Sequence, residues 1–97
     1  MAKVEIYTKS WCGYSAGAKA LLDAKGVPYT DIDITADPDT ELAMIERTGA
    51  YTVPQIFIDG RGVGGYDELS ALDVRGQLDS LLDGNDRTES PATIRGE

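Results

Sequence analysis

The feature of this sequence that most constrains its fold is a hydrophobic pattern whose period switches repeatedly between two and about 3.6 residues. Near the N-terminus, Val4 and Ile6 alternate with polar residues, which predicts a short strand over residues 3–8. From Tyr14 onward, apolar residues recur at steps of three and four, which predicts a helix. A chain that alternates in this way is typical of folds in which helices pack against a sheet.

The rest of the chain continues the alternation between strand and helix. Gly26 and Pro28 end the first helix, and Asp59-Gly60 predicts a tight hairpin between two strands. The last helix is expected to break near Gly76 and to turn its leucines inward. In chain order, the predicted elements are a strand over residues 3–8, a helix over 14–25, a strand over 29–34, a helix over 38–48, strands over 55–58 and 61–65, and a helix over 67–82.

The second helix has a clear start signal and an apolar stripe. Asp37 has a side chain suited to the N-cap, and Pro38 suits the first helical position because its ring already has a helical φ. Leu42, Met44 and Ile45 are predicted to form the buried stripe of this helix.

The order β-α-β-α-β-β-α defines the expected architecture. The first β-α-β unit should be a parallel, right-handed crossover, because nearly all such connections have that hand. The hairpin at Asp59-Gly60 makes the last two strands antiparallel. The sequence therefore predicts an α/β fold, a four-stranded mixed sheet flanked by helices.

The length of 97 residues predicts one domain, over residues 1–82. Residues 83–97 have no periodicity and little apolar content, which predicts a disordered polar tail. No apolar run approaches the roughly 20 residues of a membrane span, and the N-terminus lacks the apolar core of a signal peptide. We therefore expect a cytoplasmic protein with no membrane partner.

The charge and the rare residue types exclude several functions. Nine basic and seventeen acidic residues give a net charge of −8, which a phosphate backbone would repel, so no nucleic-acid partner is expected. The chain contains no His, which excludes Cys-His and Ser-His-Asp catalysis by its own residues. A single Cys argues against a disulfide-stapled scaffold.

Cys12, the only cysteine, falls between the first strand and the first helix. Unpaired amide groups and the helix dipole at such a site favour a thiolate, so its pKa should fall below the free value of about 8.5. Lys9, nearby in sequence, would add to this effect. The alternative is a buried Cys that acts as a small hydrophobe. The polar and aromatic neighbours of Cys12 favour a nucleophile.

Three blocks of sequence resemble the glutaredoxins: TKSWCGYS followed by an AKALL helix, then YTVPQIFI, then GVGGYDEL. They occur in the order and at the spacing of that family, over about residues 2–82, and are most similar to the small bacterial class I members. The resemblance implies the thioredoxin fold and a glutathione-dependent thiol–disulfide oxidoreductase. It also implies that glutathione and glutathionylated protein or small-molecule disulfides are the partners.

The resemblance implies a role for each matching position. Cys12 matches the nucleophile, and Val53-Pro54 matches a cis-proline dipeptide whose Val backbone pairs with glutathione. Asp67 matches a carboxylate that receives the γ-glutamyl end, and Lys9 matches a lysine near the glycyl carboxylate. The implied glutathione-binding residues are Lys9, Tyr14, Thr52, Val53, Pro54, Gln55, Gly64, Gly65, Tyr66 and Asp67.

Ser15 occupies the position at which dithiol glutaredoxins carry a second, resolving cysteine. Its presence leaves only the monothiol route, in which Cys12 takes up glutathione from a mixed disulfide and a second glutathione removes it. Ser15 could still donate a hydrogen bond to the Cys12 thiolate. It is either native, as in monothiol members, or a replacement in a dithiol protein, and the class I character elsewhere favours the second origin.

An alternative function follows from the CGYS site, which is close to the CGFS motif of cluster-binding members. A [2Fe-2S] cluster usually takes four thiolates, so Cys12 of two chains and two glutathiones would hold it. The protein would then be a dimer only when loaded, and otherwise a monomer. The extra loop and later WP-type motif of the CGFS members are not found.

Two further positions affect the predicted groove. Trp11 is either a wall of the groove or a hydrophobe that covers the start of the helix. The second helix begins Asp-Pro-Asp-Thr-Glu over residues 37–41, where relatives often carry Arg or Lys. This acidic run should repel the carboxylates of glutathione, so we expect a modest affinity.

Overall fold

The computed structural model describes residues 2–83, which form a four-stranded sheet flanked by helices. The element order confirms the one predicted, with most bounds within a residue or two. The elements are β1 (Val4–Thr8), α1 (Gly13–Ala24), β2 (Thr30–Asp33), α2 (Pro38–Thr48), β3 (Gln55–Ile58), β4 (Arg61–Gly64), α3 (Tyr66–Val74) and α4 (Leu78–Asp83).

The sheet has the strand order β2-β1-β3-β4 and mixed polarity. β1 pairs in parallel with β2, and antiparallel with β3, where Val4 lies opposite Ile58. β3 and β4 pair antiparallel across the turn at Asp59-Gly60, as predicted. β1 and β3 are thus the central strands, and the connections that follow β1 and precede β3 meet at one end of the sheet.

The central strands bury side chains on both faces of the sheet, so two core clusters form. One cluster joins alternate residues of β1 and β3 to α1, α3 and α4, and includes Ile6, Leu22 and Leu69, each fully buried. The other joins Tyr7 and Phe57 to α2. This second layer explains why Ile56, Phe57 and Ile58 of β3 are all apolar: a strand covered on both faces needs no polar side.

The predicted apolar stripe of α2 is wrong at one position. Met44 is fully buried, and Ile45 is partly buried against the same cluster. Leu42, however, is 55% exposed. Two residues span about 200° around a helix, so Leu42 and Met44 lie on opposite faces and only one of them can contact the sheet.

The break predicted near Gly76 separates α3 from α4. Gly76 has a φ of 72°, a left-handed conformation that glycine adopts without a Cβ clash. Lys25, which follows α1, bridges the break by pairing with Asp73 at 2.6 Å and Asp79 at 3.1 Å. Lys25 thus links the end of α1 to both short helices at the surface, beside the buried packing of Leu69 and Leu78 in the first core cluster.

The predicted tail, residues 83–97, lies outside the described residues except for Asp83, which ends α4. Leu82 is buried, and its carbonyl oxygen accepts from the amide of Ala2 at 2.8 Å. Within residues 2–83, no helix has the length and apolar character needed to cross a bilayer.

Candidate active site

Cys12 lies at the N-cap of α1, in the turn that joins β1 to that helix. Its backbone is extended, with φ −91° and ψ 118°, and Gly13 is the first helical residue. The thiol donates to the carbonyl oxygen of Val53, with Sγ and oxygen 3.7 Å apart. Val53 is joined to Pro54 by a cis peptide bond, in agreement with the expected dipeptide. Tertiary folding thus brings the thiol to the loop before β3.

The Cys12 thiol has a pKa below its ordinary value. Burial is the largest single influence and raises the pKa, but the groups around the sulfur outweigh it. The amide and hydroxyl of Ser15, the amide of Tyr14 and the charge of Lys9 all lower the pKa. These amides belong to the first turn of α1, where they have no partner within the helix and can stabilise an anion. The arrangement favours a thiolate, as the sequence indicated.

Ser15 is buried, with 1% of its surface exposed, in the first turn of α1. Its Oγ accepts from the backbone amide of Lys9 at 3.3 Å, which leaves the hydroxyl hydrogen free to point toward Cys12. Ser15 therefore fixes the loop after β1 and stabilises the anionic form of the sulfur.

A cavity of about 180 Å³ lies next to Val53 and the start of α3. It brings together seven of the predicted glutathione-binding residues and one that sequence reasoning missed, Glu68. The lining residues are Tyr14, Thr52, Val53, Pro54, Gly65, Tyr66, Asp67 and Glu68. We call this cavity the groove. Lys9, Gln55 and Gly64, which were also predicted, are not part of its lining.

The floor of the groove needs glycine because two backbone segments approach each other closely. A Cβ on Gly65 would lie 3.3 Å from the carbonyl oxygen of Pro54, closer than such contacts normally are. The amide of Gly65 donates to Oε1 of Glu68 at 2.8 Å, so Glu68 caps the start of α3. The sequence signal for Glu68 is its place three residues after the N-cap, where a glutamate often reaches back.

The aromatic side of the groove is formed by Tyr14 and Tyr66, whose ring centres lie 6.1 Å apart. Tyr14 is 65% exposed, so it borders the groove from the solvent side. Tyr66 packs against α1, where a Cβ on Gly17 would lie 3.2 Å from its ring.

Lys9 is engaged with neighbours rather than facing the groove. Its Nζ lies 3.0 Å from Oε2 of Glu41, in the first turn of α2, and 5.5 Å from the centre of the Trp11 ring. Trp11 is 72% exposed, so it does not cover the start of α1, and it is not part of the groove lining either.

Gln55 is buried at the start of β3, and its side-chain amide donates to Thr52 at two atoms. The distances are 3.1 Å to the carbonyl oxygen and 3.2 Å to Oγ1. These bonds hold Thr52 and the loop that carries Val53. The Gln55 side chain therefore shapes the groove by fixing this loop and not by lining the groove.

A larger recess of about 520 Å³ lies between β4 and α3, and neither Cys12 nor Pro54 lines it. We assign the active site by chemistry rather than by size, because the thiol lies beside the smaller groove. Within residues 2–83, no group of three or more His, Cys, Asp or Glu side chains is placed to hold a metal ion. One chain supplies one thiol, so its residues do not by themselves fit a [2Fe-2S] cluster.

The fold and the thiol together define a class: a thioredoxin-fold protein with a cysteine of lowered pKa where β1 meets α1. Within that class, the chain belongs to the glutaredoxin family, whose family model, described as glutaredoxin, matches residues 4–63. Family and fold make it a thiol–disulfide oxidoreductase.

Named relatives cover most of the chain. It is 54% identical to glutaredoxin 3 of Escherichia coli K12 over 82 residues, which are 84% of this chain and 99% of that protein. It is 44% identical to a glutaredoxin of Pseudomonas aeruginosa over 82 residues, 84% of this chain and 98% of that protein.

Solved structures are similar as well. A glutaredoxin from Brucella melitensis has a TM-score of 0.76 and 51% identity, covering 84% of this chain and 89% of its own. A buckwheat glutaredoxin–glutathione complex has a TM-score of 0.80 and 30% identity, covering 87% of this chain and 79% of its own.

Proposed function

We propose that this protein reduces glutathione mixed disulfides by a glutathione-dependent monothiol mechanism. The observation that carries the proposal is a single thiol, with a lowered pKa, beside a groove lined by Val53-Pro54 and Tyr66-Asp67. The thiolate is the form of cysteine that attacks disulfides, and the lowered pKa increases its fraction at neutral pH.

The reaction proceeds in two exchanges. The Cys12 thiolate attacks the glutathione sulfur of a mixed disulfide; that disulfide breaks, and the substrate sulfur leaves as a thiolate that takes up a proton. Cys12 is then joined to glutathione through a new disulfide. The thiolate of a second glutathione attacks the glutathione sulfur on Cys12, which releases oxidised glutathione and restores the Cys12 thiolate. The net reaction is an exchange: one mixed disulfide and one glutathione thiol give the substrate thiol and oxidised glutathione.

The groove offers suitable partners for a glutathionyl group on Cys12. The backbone of Val53, next to a cis peptide bond, can pair with an extended peptide. The carboxylate of Asp67, in the first turn of α3, can receive the γ-glutamyl ammonium, and the amides of that turn can receive its carboxylate. The buckwheat glutaredoxin that was solved as a glutathione complex supports this ligand.

The test is Cys12→Ala, which should abolish reduction of a glutathionylated peptide in a coupled assay with glutathione. Ser15→Cys is the matched control, because it changes one atom and restores the resolving thiol. After treatment with oxidised glutathione, intact mass should show one stable glutathionyl group with Ser15 and loss of that adduct with Cys at position 15. Activity retained by Cys12→Ala would refute the proposal.

We further propose a monomer that works in the cytoplasm on glutathionylated protein or small-molecule disulfides. No observation in the described residues favours the [2Fe-2S] alternative over the enzyme. Purification without oxygen, followed by an absorbance spectrum and a size measurement, tests the alternative. A coloured dimer that contains glutathione would support the cluster, whereas a colourless monomer after reconstitution would exclude it.

A further inference from the structure

Lys9 carries the positive charge that acts on the reactive thiol, and its ammonium group is held on two sides. Glu41 pairs with it at 3.0 Å, and the Trp11 ring lies 5.5 Å away. The Lys9 side chain is 19% exposed, so little of its surface is open to an arriving ligand. The residue that the family resemblance assigns to the glycyl carboxylate is already paired with a carboxylate of its own chain.

The position of Glu41 on α2 strengthens this pair. Glu41 lies in the first turn of the helix, where the unpaired amides favour negative charge. Asp39 lies in the same first turn, and Asp37, at the N-cap, is used differently: its side chain accepts from the amide of Thr40 at 3.1 Å. Glu41 is therefore the carboxylate of this turn that pairs with Lys9.

The Lys9–Glu41 pair limits the binding free energy that the glycyl carboxylate of a ligand can gain from Lys9. A ligand carboxylate would have to displace Glu41 from Lys9, or share the cation with a like charge close by. In the first case one charge-assisted hydrogen bond replaces another, and in the second the two carboxylates repel. In either case, a negatively charged glycyl end adds little binding free energy compared with a neutral one.

We propose that Glu41 is a specificity-determining residue that occupies Lys9, so that the groove accepts glutathione derivatives with a neutral glycyl end as readily as glutathione itself. This inference rests on the proposed function. Selection for the ligand then depends on the γ-glutamyl end, at Gly65 and Asp67, and on backbone pairing at Val53. The ligand class is γ-glutamyl-cysteinyl thiols whose C-terminal carboxylate is esterified, amidated or extended.

A competition at Cys12 measures this selectivity directly. The protein is equilibrated with equal concentrations of glutathione and its glycyl ethyl ester, each as thiol and disulfide, and the two Cys12 adducts are quantified by intact mass. Both thiols exchange by the same chemistry, so the adduct ratio reports the glycyl end alone. We expect a ratio near one for the unchanged protein and about three to five in favour of glutathione for Glu41→Gln.

Two variants separate the effect of the pair from a general change in charge. Glu46→Gln removes the same charge from the same helix, and its ratio should stay near one. Lys9→Gln combined with Glu41→Gln removes the cation that Glu41→Gln exposes, and its ratio should return to one. Thermal unfolding of each variant confirms that the fold is intact.

The possible outcomes are distinguishable. If Cys12 forms neither adduct, the proposed function itself fails. If adducts form but the unchanged protein already prefers glutathione severalfold, or if Glu41→Gln leaves the ratio unchanged, the proposed role of Glu41 is wrong while the enzyme function stands.

Discussion

At the scale of single residues, the lowered pKa of Cys12 depends on donors that follow it closely in sequence. The first turn of α1 orients these donors toward the sulfur. The amides of Tyr14 and Ser15 point at the sulfur because α1 begins at Gly13. The Ser15 hydroxyl adds a further donor to the sulfur. Under the proposed monothiol mechanism, Ser15 supplies no resolving thiol but still helps to hold Cys12 as a thiolate.

Ser15→Ala should raise the pKa of Cys12, because the thiolate loses a hydroxyl donor while burial still disfavours the charge. The rate of alkylation by iodoacetamide at neutral pH should fall about threefold, in line with one ordinary hydrogen bond. The pH profile of that rate gives the pKa. Ser10→Ala is the control, since its hydroxyl lies near Thr35 and not Cys12. An unchanged profile in Ser15→Ala would contradict a role for the hydroxyl.

The lowered pKa of Cys12 also links pH to folding. Because the folded pKa lies below that of an unfolded thiol, about 8.5, ionisation favours the folded state above that pH. This contribution should be lost as the pH falls through the folded pKa. Comparison of the unfolding free energy of the protein and Cys12→Ala across that range measures it; parallel curves would show that the pKa is not lowered.

Gly65→Ala should weaken glutathione binding, because the new Cβ would press on the Pro54 carbonyl oxygen and displace the floor of the groove. We expect KM for a glutathionylated peptide to rise about threefold or more, since small misplacements of a bound group reduce catalysis. Gly13→Ala serves as control, because a Cβ there meets nothing within 4 Å. Equal KM values for the two variants would show that the approach at Gly65 is unimportant.

At the scale of elements, α2 has two tasks. Its buried face covers the second core cluster through Met44, while its first turn presents Glu41 to Lys9. Arg47, near its C-terminus, pairs with Glu5 at 3.3 Å and lies 3.5 Å from the centre of the Phe57 ring. These contacts fix the rotation of the helix, and that rotation decides which carboxylate reaches the active-site lysine.

Met44→Ala should destabilise the fold by about 2–5 kcal/mol, because it empties a fully buried site. Leu42→Ala on the same helix should change the free energy of unfolding by about 0.5 kcal/mol or less, since Leu42 is mostly exposed. Urea unfolding followed by circular dichroism measures both. Similar losses for the two variants would mean that α2 packs with a different face.

At the scale of the whole molecule, the net charge of −8 sets the background for every anionic ligand. Glutathione carries net negative charge at neutral pH, and Lys9, the cation that lowers the pKa of Cys12, is paired with Glu41. Long-range attraction therefore contributes little to binding.

Glutathione affinity should accordingly be modest and should fall little when salt is added, because screening has no strong attraction to weaken. Titration calorimetry of the unchanged protein with glutathione at low and high salt measures the dependence. A steep loss of affinity with salt would mean that the groove presents uncompensated positive charge.

The predicted domain boundary can be tested by truncation. Ending the chain after Asp83 keeps α4 and should change the unfolding free energy by less than about 0.5 kcal/mol. Ending it after Gln77 removes Leu78 and Leu82, both buried, and should cost about 2–5 kcal/mol for each leucine. Equal losses from both truncations would place the domain boundary beyond residue 83.

Local sequence signals predicted most elements correctly, because caps and turns are decided by neighbouring residues. Asp37 caps α2 with its carboxylate, and Gly76, which has no Cβ, breaks the last helix. Leu42 was predicted wrongly, since Leu42 and Met44 are both apolar but lie on opposite faces, and only packing shows which face is buried. Glu68 was missed because an acidic residue near a helix start also reads as a solvated one.

The sequence by itself determined the order of elements and the position of the single cysteine, with Ser15 three residues on, because these depend on residue type and local spacing. Only the tertiary structure decided that Lys9 pairs with Glu41, 32 positions away, and that Cys12 lies beside Val53, 41 positions away. The sequence has no periodic pattern that shows which charged side chains will pair. Their pairing depends on which face each helix turns toward the sheet. The packing of the two core clusters sets that orientation.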